Sequence, residues 1–560
     1  MGGTARKQHN RSLAARHIRA LLLLYGLLNA ALYSSLLPLW EGFDEEFHYG
    51  YVQYLGAHHR FPVLGPTALS LEINRSIGLL PMSHVMIRNL HLEGVRTFDE
   101  YFALDSAARH ALYAGAHAIP SDLRLSESGR YFTNYEVHHA PLGYILMAIP
   151  DSLMSRVPLP RRVWIVRLFA SMASVLLIFR GMWKLGREAG LNEDFTAVVI
   201  FLMFSCQMFW ATVAHIGNDW LAVPLAVWLL VWALRCHQRP SVRAAVWLAV
   251  VLGMGLLSKA YFLVFVPLYL LAALVWYRKG ILPARGFVAL GSIPVMLAGP
   301  WYLRNLMLYG NLSGRIEESN GVTAAGALKS LASIPWLKSI PFMARGSFWT
   351  GNSSFTDFSI DTMNALLLLL GIALALYVRK ALAAPRKQAV SRDVFLWAPV
   401  VLFCGAMIYV TGSSYSFTKG LAIAASPWYL QAVMPPLLGI AMLGCQRSGR
   451  LGRSVAAAGV ALWGYILAAT YVAKLVPLYG GFSGGRSTLR DLAHWYLSDW
   501  FRTADILSTT ALVPAPVLLT LLVALLIVLA AALLATMTAL MEVPRTTQND
   551  GLRHGNSCSG

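Results

Sequence analysis

The chain has 560 residues, of which 57% are hydrophobic and only 13% charged. Water-soluble domains carry roughly 25% charged residues, so a soluble globular protein is excluded. The apolar runs are too long and continuous for barrel strands, which alternate. The formal net charge of +19 gathers in short loops between apolar runs, as the positive-inside pattern requires. Anionic lipid and lipid phosphate, not nucleic acid, are the expected polyanions.

Read in chain order, a basic cytoplasmic N-terminus (1–19) precedes an apolar helix near 17–38, taken as retained and not cleaved. Further apolar segments fall near 140–157, 163–183, 195–213, 217–235, 242–257, 260–277, 285–303, 361–379, 394–411, 422–444, 453–475 and 512–540. Three longer polar stretches, 39–139, 304–360 and 477–510, interrupt them. Placing the basic loops Arg235–Arg243, Arg278–Arg285, Arg379–Arg392 and Arg447–Arg453 inside puts all three stretches outside. Parity then requires one segment not to cross. The weakest is 140–157, which holds Pro150, Asp151 and Arg156. The expectation is an all-α polytopic membrane protein of about 12 spans, or 13 if every segment crosses. The first outer stretch carries amphipathic segments such as 99–116, expected to lie in the interface. A tail, 542–560, is polar. Cys206, Cys236, Cys404, Cys445 and Cys558 are scattered without a C-x-x-C, so no metal or disulfide framework follows.

Chemistry concentrates where charge meets the apolar segments. Asp44-Glu45-Glu46-Phe47-His48 follows the first of them. Three carboxylates there stand out in an acid-poor chain, although headgroup-level polar residues are common, and a helix would put Asp44 and His48 on one face. His138-His139-Ala140-Pro141 opens the 140–157 segment, either as an interfacial anchor or as a phosphate contact. In His215-Ile216-Gly217-Asn218-Asp219, turn chemistry explains Gly217 and Asn218. It explains Asp219 less well, because an ionised group entering an apolar helix is costly. Lys259 is either a snorkelling lysine or a functional cation. Tyr302 and Arg304 close the 285–303 segment, and arginine there can clamp phosphate. Arg167, inside 163–183, requires an acidic partner. Arg345 and Trp349 lie in the 304–360 loop, which is expected to act as a lid.

Taken together, these motifs resemble those of the GT-C membrane glycosyltransferases. Phe43-Asp44-Glu45-Glu46-Phe47-His48 is similar to their Asp-Glu motif, His139-Ala140-Pro141-Leu142-Gly143-Tyr144 to a His-Pro-Pro-Leu-x-Tyr segment, and Asn218-Asp219 to a second acidic motif. Trp301-Tyr302-Leu303-Arg304-Asn305 and Ser347-Phe348-Trp349 resemble further stretches of bacterial members. The likeness runs over roughly 20–440 and is nearest the protein O-mannosyltransferase and aminoarabinose-transferase-like branch. It departs where Ala140 replaces a proline and where Glu46 leaves the choice of base open.

The resemblance implies a GT-C-type transmembrane catalytic module over 20–444, followed by C-terminal transmembrane helices over 445–541. It implies inverting transfer of a sugar from a polyprenyl-phosphate donor to an acceptor glycan, lipid or protein. The site would face the extracytoplasmic side of a bacterial inner membrane. Asp44 would be the general base, with Glu45 and Asp219 orienting acceptor or cations. Lys259, Arg304, His139 and His138 would hold the leaving phosphate. His48, Tyr302, Asn218, Arg345 and Trp349 would line the acceptor pocket. A divalent metal between Asp44 and Asp219 is an option, since hard cations favour carboxylates. A secondary transporter and a lipid-linked glycan polymerase or flippase remain as alternatives.

Overall fold

The computed structural model describes residues 2–126, 133–354, 358–383, 390–482 and 488–542. The tail beyond 542, and Cys558 within it, lie outside the described residues. Among these residues the chain is helical, with two isolated bridges and no strand.

Nine helices in the described residues are long and apolar enough to cross a membrane: Arg16–Leu36, Leu159–Ala189, Asp219–Gln238, Ala260–Arg278, Ala284–Tyr309, Ile360–Ala383, Arg392–Phe417, Gly449–Tyr479 and Ala515–Met541. A tenth is broken: Glu193–Phe204 and Gln207–Val213 meet at 65°. At that break Asn29 Nδ2 and Trp210 Nε1 donate to the Phe204 carbonyl at 3.1 and 2.8 Å, satisfying a backbone group the helix leaves free.

Side-chain contacts sort the helix ends. One end of the bundle holds Arg19–Glu193 (2.5 Å), Arg235–Glu188 (2.7 Å) and the Gln446 amide on the Gly190 carbonyl (3.1 Å). The other holds Lys259–Asp219 and the Leu142 N–H on the Leu257 carbonyl (2.9 Å). The shorter helices Val242–Leu256 and Met434–Arg447 also run between these ends. The 140–157 segment, expected not to cross, forms the 12-residue helix Leu142–Leu153, which packs on Glu45–His58 and Leu159–Ala189. The expected 422–444 span is shorter than its hydropathy implied. It begins as an irregular stretch and a single turn at Pro427–Ala432, because Pro427, Pro435 and Pro436 donate no backbone hydrogen bonds.

The 39–139 stretch folds into short capped helices over the end opposite Arg19. They include Glu45–His58, Leu71–Ile77, His84–Asn89, Phe98–Phe102 and Ser106–His117, with single turns at Ser121–Leu125 and Tyr135–His138. Ser70, Ser83, Thr97, Asp105 and Asn134 cap helix or turn starts with their side chains. The 99–116 region, expected in the membrane interface, packs on Trp500–Thr510. Arg109 is buried and needs an acid, and it reaches Asp505 at 2.5 Å. The end of the 304–360 loop is likewise pinned in the core. The Met208 N–H donates to the Phe348 carbonyl at 3.0 Å, and Gln431 Nε2 to the Ser347 carbonyl at 2.6 Å.

Candidate active site

Asp44 occupies the position before Glu45–His58 in a left-handed conformation, φ 53°. Aspartate tolerates that region better than most residues. From Leu32 to Tyr54 it is the one residue that is not buried. Tyr135 donates to its Oδ1 at 2.6 Å. Asp44 and His48 do not pair through their side chains. Because Asp44 precedes the helix, His48 turns to Tyr144, whose hydroxyl lies 2.7 Å from Nδ1.

Around Asp44 the outer turns assemble a compact titratable group. Glu136 Oε2 lies 2.7 Å from His139 Nε2 and 3.5 Å from His48 Nδ1. The rings of His138 and His139 are 4.2 Å apart, and those of Tyr51 and Tyr144 stack at 4.1 Å. Lys259 pairs with Asp219, and its ammonium sits 4.8 Å from the Tyr429 ring. The Tyr261 hydroxyl approaches the other Asp219 oxygen at 3.4 Å. Tyr302 buttresses this corner by donating to the Leu256 carbonyl at 3.0 Å, three residues before Lys259.

The electrostatics follow from burial and crowding. Burial raises the Asp44 carboxyl, the charge of Glu136 raises it further, and Tyr135 and Lys259 oppose them. Burial also raises Glu136, against His138 and Lys259. Burial pushes Glu46 well up, and both of its oxygens are buried without a hydrogen-bond partner. Burial and then mutual repulsion lower His138 to about 4, and burial and then Lys259 lower His139 to about 3. Both rings are neutral near pH 7.

Of the residues expected at the site, Asp44, His48, His138, His139, Asp219 and Lys259 are brought together. Asn218 immediately precedes Asp219, with both amide atoms buried and unbonded. Glu45 is placed apart in role. It accepts from Arg167 Nε at 2.7 Å and from the Ile216 N–H at 2.9 Å, and it is fully buried. It is the acidic partner Arg167 required. Arg304 donates to the Pro62 carbonyl at 2.6 Å and stacks on Trp301. Trp349 donates to Thr470 Oγ1 at 2.8 Å in the core. Arg345 makes no hydrogen bond to the cluster among the described residues.

Sequence reasoning passed over Tyr135, Glu136, Tyr429, Arg315 and Glu317. Arg315 and Glu317 pair at 2.8 Å, and Glu317 bears electrostatically on His138 and His139. Gly314, at φ 73°, lets their loop approach, since a Cβ there would sit 3.2 Å from the His138 carbonyl. Glu136 had a signal, an acid two residues before a histidine pair. Arg315, Glu317 and Tyr429 had none.

A divalent metal between Asp44 and Asp219 does not fit these residues. An ammonium and a phenol already take both Asp219 oxygens. No group of three or more His, Cys, Asp or Glu side chains is arranged to hold a metal in the described residues. Beside the cluster, a groove of about 520 Å³ runs between the end of Glu45–His58 and Leu142–Leu153. Its walls include His59, Arg60, Phe61, Ile145, Ile149 and Leu153.

The protein is thus an all-helical polytopic membrane protein with a titratable cluster at one end of its bundle. No protein-family model and no curated protein matches the chain. Among solved structures it is similar to ArnT from Cupriavidus metallidurans in the apo state, at 15% identity and TM-score 0.37, over 87% of this chain and 74% of that one. It is also similar to the Archaeoglobus fulgidus oligosaccharyltransferase crystallised with Zn and sulfate, at 12% identity and TM-score 0.37, over 83% of this chain and 61% of that one. For the apo form of that enzyme the values are 13% and 0.36, over 93% and 56%. The chain therefore spans about three-fifths of the archaeal enzyme's length.

Proposed function

We propose that this protein is a membrane glycosyltransferase of GT-C type. It moves a sugar from a polyprenyl-phosphate carrier to an acceptor on the outer face of a bacterial inner membrane. The motif resemblance around Asp44-Glu45, His139–Tyr144 and Asn218-Asp219 supports the class. The observation that carries the mechanism is the setting of Asp44. It is half-buried where the rest of 32–54 is buried, and a phenol donates to its carboxylate at 2.6 Å.

In this reading an acceptor hydroxyl or amine attacks the anomeric carbon while Asp44 takes its proton. The bond from that carbon to the carrier phosphate breaks, and configuration inverts. Negative charge grows on the departing phosphate, and Lys259 supplies the compensating positive charge. Asp219 holds that ammonium, and Tyr429 gives it an aromatic face. Arg304 belongs to the groove side, where Phe61 packs on Trp301 with ring centroids 5.5 Å apart. That apolar wall suits the carrier's hydrocarbon. The catalytic module is residues 20–444, with 445–541 as supporting helices.

The test is Asp44→Asn in membranes supplied with labelled lipid-linked sugar. Loss of a general base lowers transfer by about 10²–10⁴-fold. Full transfer by a folded variant overturns the assignment. Ion-gradient-dependent uptake without sugar transfer would favour the transporter.

A further inference from the structure

Far from this cluster, at the opposite end of the bundle, the chain builds a second charged feature. Helices Leu159–Ala189 and Asp219–Gln238 pack in parallel at a nearly constant offset. Ser174 donates to the Trp220 carbonyl, Gly181 meets Trp228, and Glu188 pairs with Arg235. Arg180, Lys184 and Arg187 recur at i, i+4 and i+7, so they share one face of the first helix. Arg235 joins them from the second, and these three arginines are the cations that bear on Lys184.

The carboxylate that bears on Lys184 is Glu188, and Arg235 already engages it at 2.7 Å. Like charges one turn apart repel, so the face carries unbalanced positive charge. Two of the cations are held in place by indoles. Lys184 Nζ lies 4.7 Å from the Trp228 ring, and the Arg235 guanidinium 5.1 Å from Trp232. Trp228 is fixed by donating to the Leu177 carbonyl at 3.1 Å. A Cβ at Gly181 would meet its ring at 3.2 Å, so glycine lets the helices close up. Just below, one turn before Arg180, Leu176 is 51% exposed, and Trp247, stacked on Trp232, is 44% exposed.

Cations above, indoles at the boundary and open aliphatic surface beneath reproduce the polarity profile of a phospholipid. We propose that Arg180, Lys184, Arg187 and Arg235 form a binding site for the phosphodiester headgroup of an anionic phospholipid. Leu176 and Trp247 contact the start of its acyl chains. The site is independent of the proposed transfer reaction.

The experiment uses the full chain in uncharged detergent, with phosphatidylglycerol, phosphatidylcholine or inorganic phosphate added. Bound lipid is read by native mass spectrometry and stability by the thermal midpoint. Phosphatidylglycerol should stay bound and raise the midpoint, whereas phosphatidylcholine and inorganic phosphate should not. R180Q/K184Q/R187Q should weaken phosphatidylglycerol binding on the order of 100-fold, at roughly fivefold per cation. R278Q/K279Q/R285Q removes the same charge from an exposed loop at the same end, without an indole platform, and should keep it. If the triple variant is not monodisperse, K184Q alone should lose about fivefold. Equal losses in the two triple variants, unchanged binding in the folded first variant or K184Q, or an equal response to inorganic phosphate would overturn the site.

Discussion

Two groups of carboxylates lie at the same end of the bundle and are built in opposite ways. In the first, each acid is matched by an arginine. Arg162, with no exposed side-chain surface, spans Glu72 at 2.5 Å and Asp151 at 3.1 Å, while Gln53 and Tyr49 supply further donors. Arg167 does the same for Glu45 and also ties down the Pro38 carbonyl at 2.8 Å. In the second, Asp44, Glu46 and Glu136 face phenols, neutral histidines and one shared ammonium. The arginine-paired acids are buried against their arginines, with Asp151 Oδ2 alone left without a hydrogen-bond partner, which makes them structural tethers between these helices and the bundle. The other acids have no arginine, burial raises their proton affinity, and Asp44 among them is half-buried. Perturbed titration in a recess is where proton-transfer chemistry is expected.

The contrast can be broken most sharply at its two centres. Asp44→Asn should cost about 10²–10⁴-fold in transfer with little change in the thermal midpoint, because its partner is a single phenol. Arg162→Met should do the reverse in kind. It strands Glu72 and Asp151 and should cost about 3–5 kcal/mol in stability, measured by heat unfolding in detergent. Adding Glu72→Gln and Asp151→Asn should restore most of it. An unchanged midpoint for Arg162→Met would dissolve the distinction between the groups.

Glu41 tests the same logic outside both groups. Burial raises it to about 8, against donors from Ser354 and Tyr479 and the charge of Arg167. The folded state therefore binds more protons than the unfolded chain between about pH 4.5 and 8. Stability should fall as pH rises through that window, by about 1 kcal/mol per pH unit. Glu41→Gln should flatten that slope, and an unaltered slope would assign it to other groups.

A gentler probe is pH dependence of kcat/KM. A base must be ionised, so activity should rise as pH increases through about 6, the value to which Asp44 is raised. Tyr135→Phe removes a donor that favours the carboxylate, so the rising limb should move to higher pH by roughly one unit. A shift downward would show that Tyr135 does not serve Asp44. The smallest effect belongs to Arg345→Ala, which should leave turnover within roughly twofold. A large loss there would bring Arg345 into the site beside Arg315 and Glu317 of the same loop.

Much of this was legible in the chain because the bilayer imposes a one-dimensional rule. A crossing helix needs about 20 apolar residues, so the segments could be read off directly. The 140–157 segment, the weakest by composition, forms only a 12-residue helix. The same rule misjudged 422–444, whose hydropathy is high but whose prolines shorten the helix. Among the site residues, Asp44, His139, Asp219 and Lys259 announced themselves as charges at the margins of apolar runs. Arg345 and Trp349 looked similar but fold elsewhere, since a loop end can be drawn into the core by backbone bonds such as Met208 to Phe348.

By itself the sequence determined a helical membrane bundle and the short motifs between its helices from which a site could be built. Those are properties of local composition and spacing. Only the tertiary structure decided that Glu45 answers Arg167 while Asp44 answers Tyr135, and that Glu136, Arg315, Glu317 and Tyr429 converge with Lys259. Adjacent carboxylates have the same composition and almost the same position. What separates a tether from a candidate base is which distant partner each meets, and folding alone sets those distances.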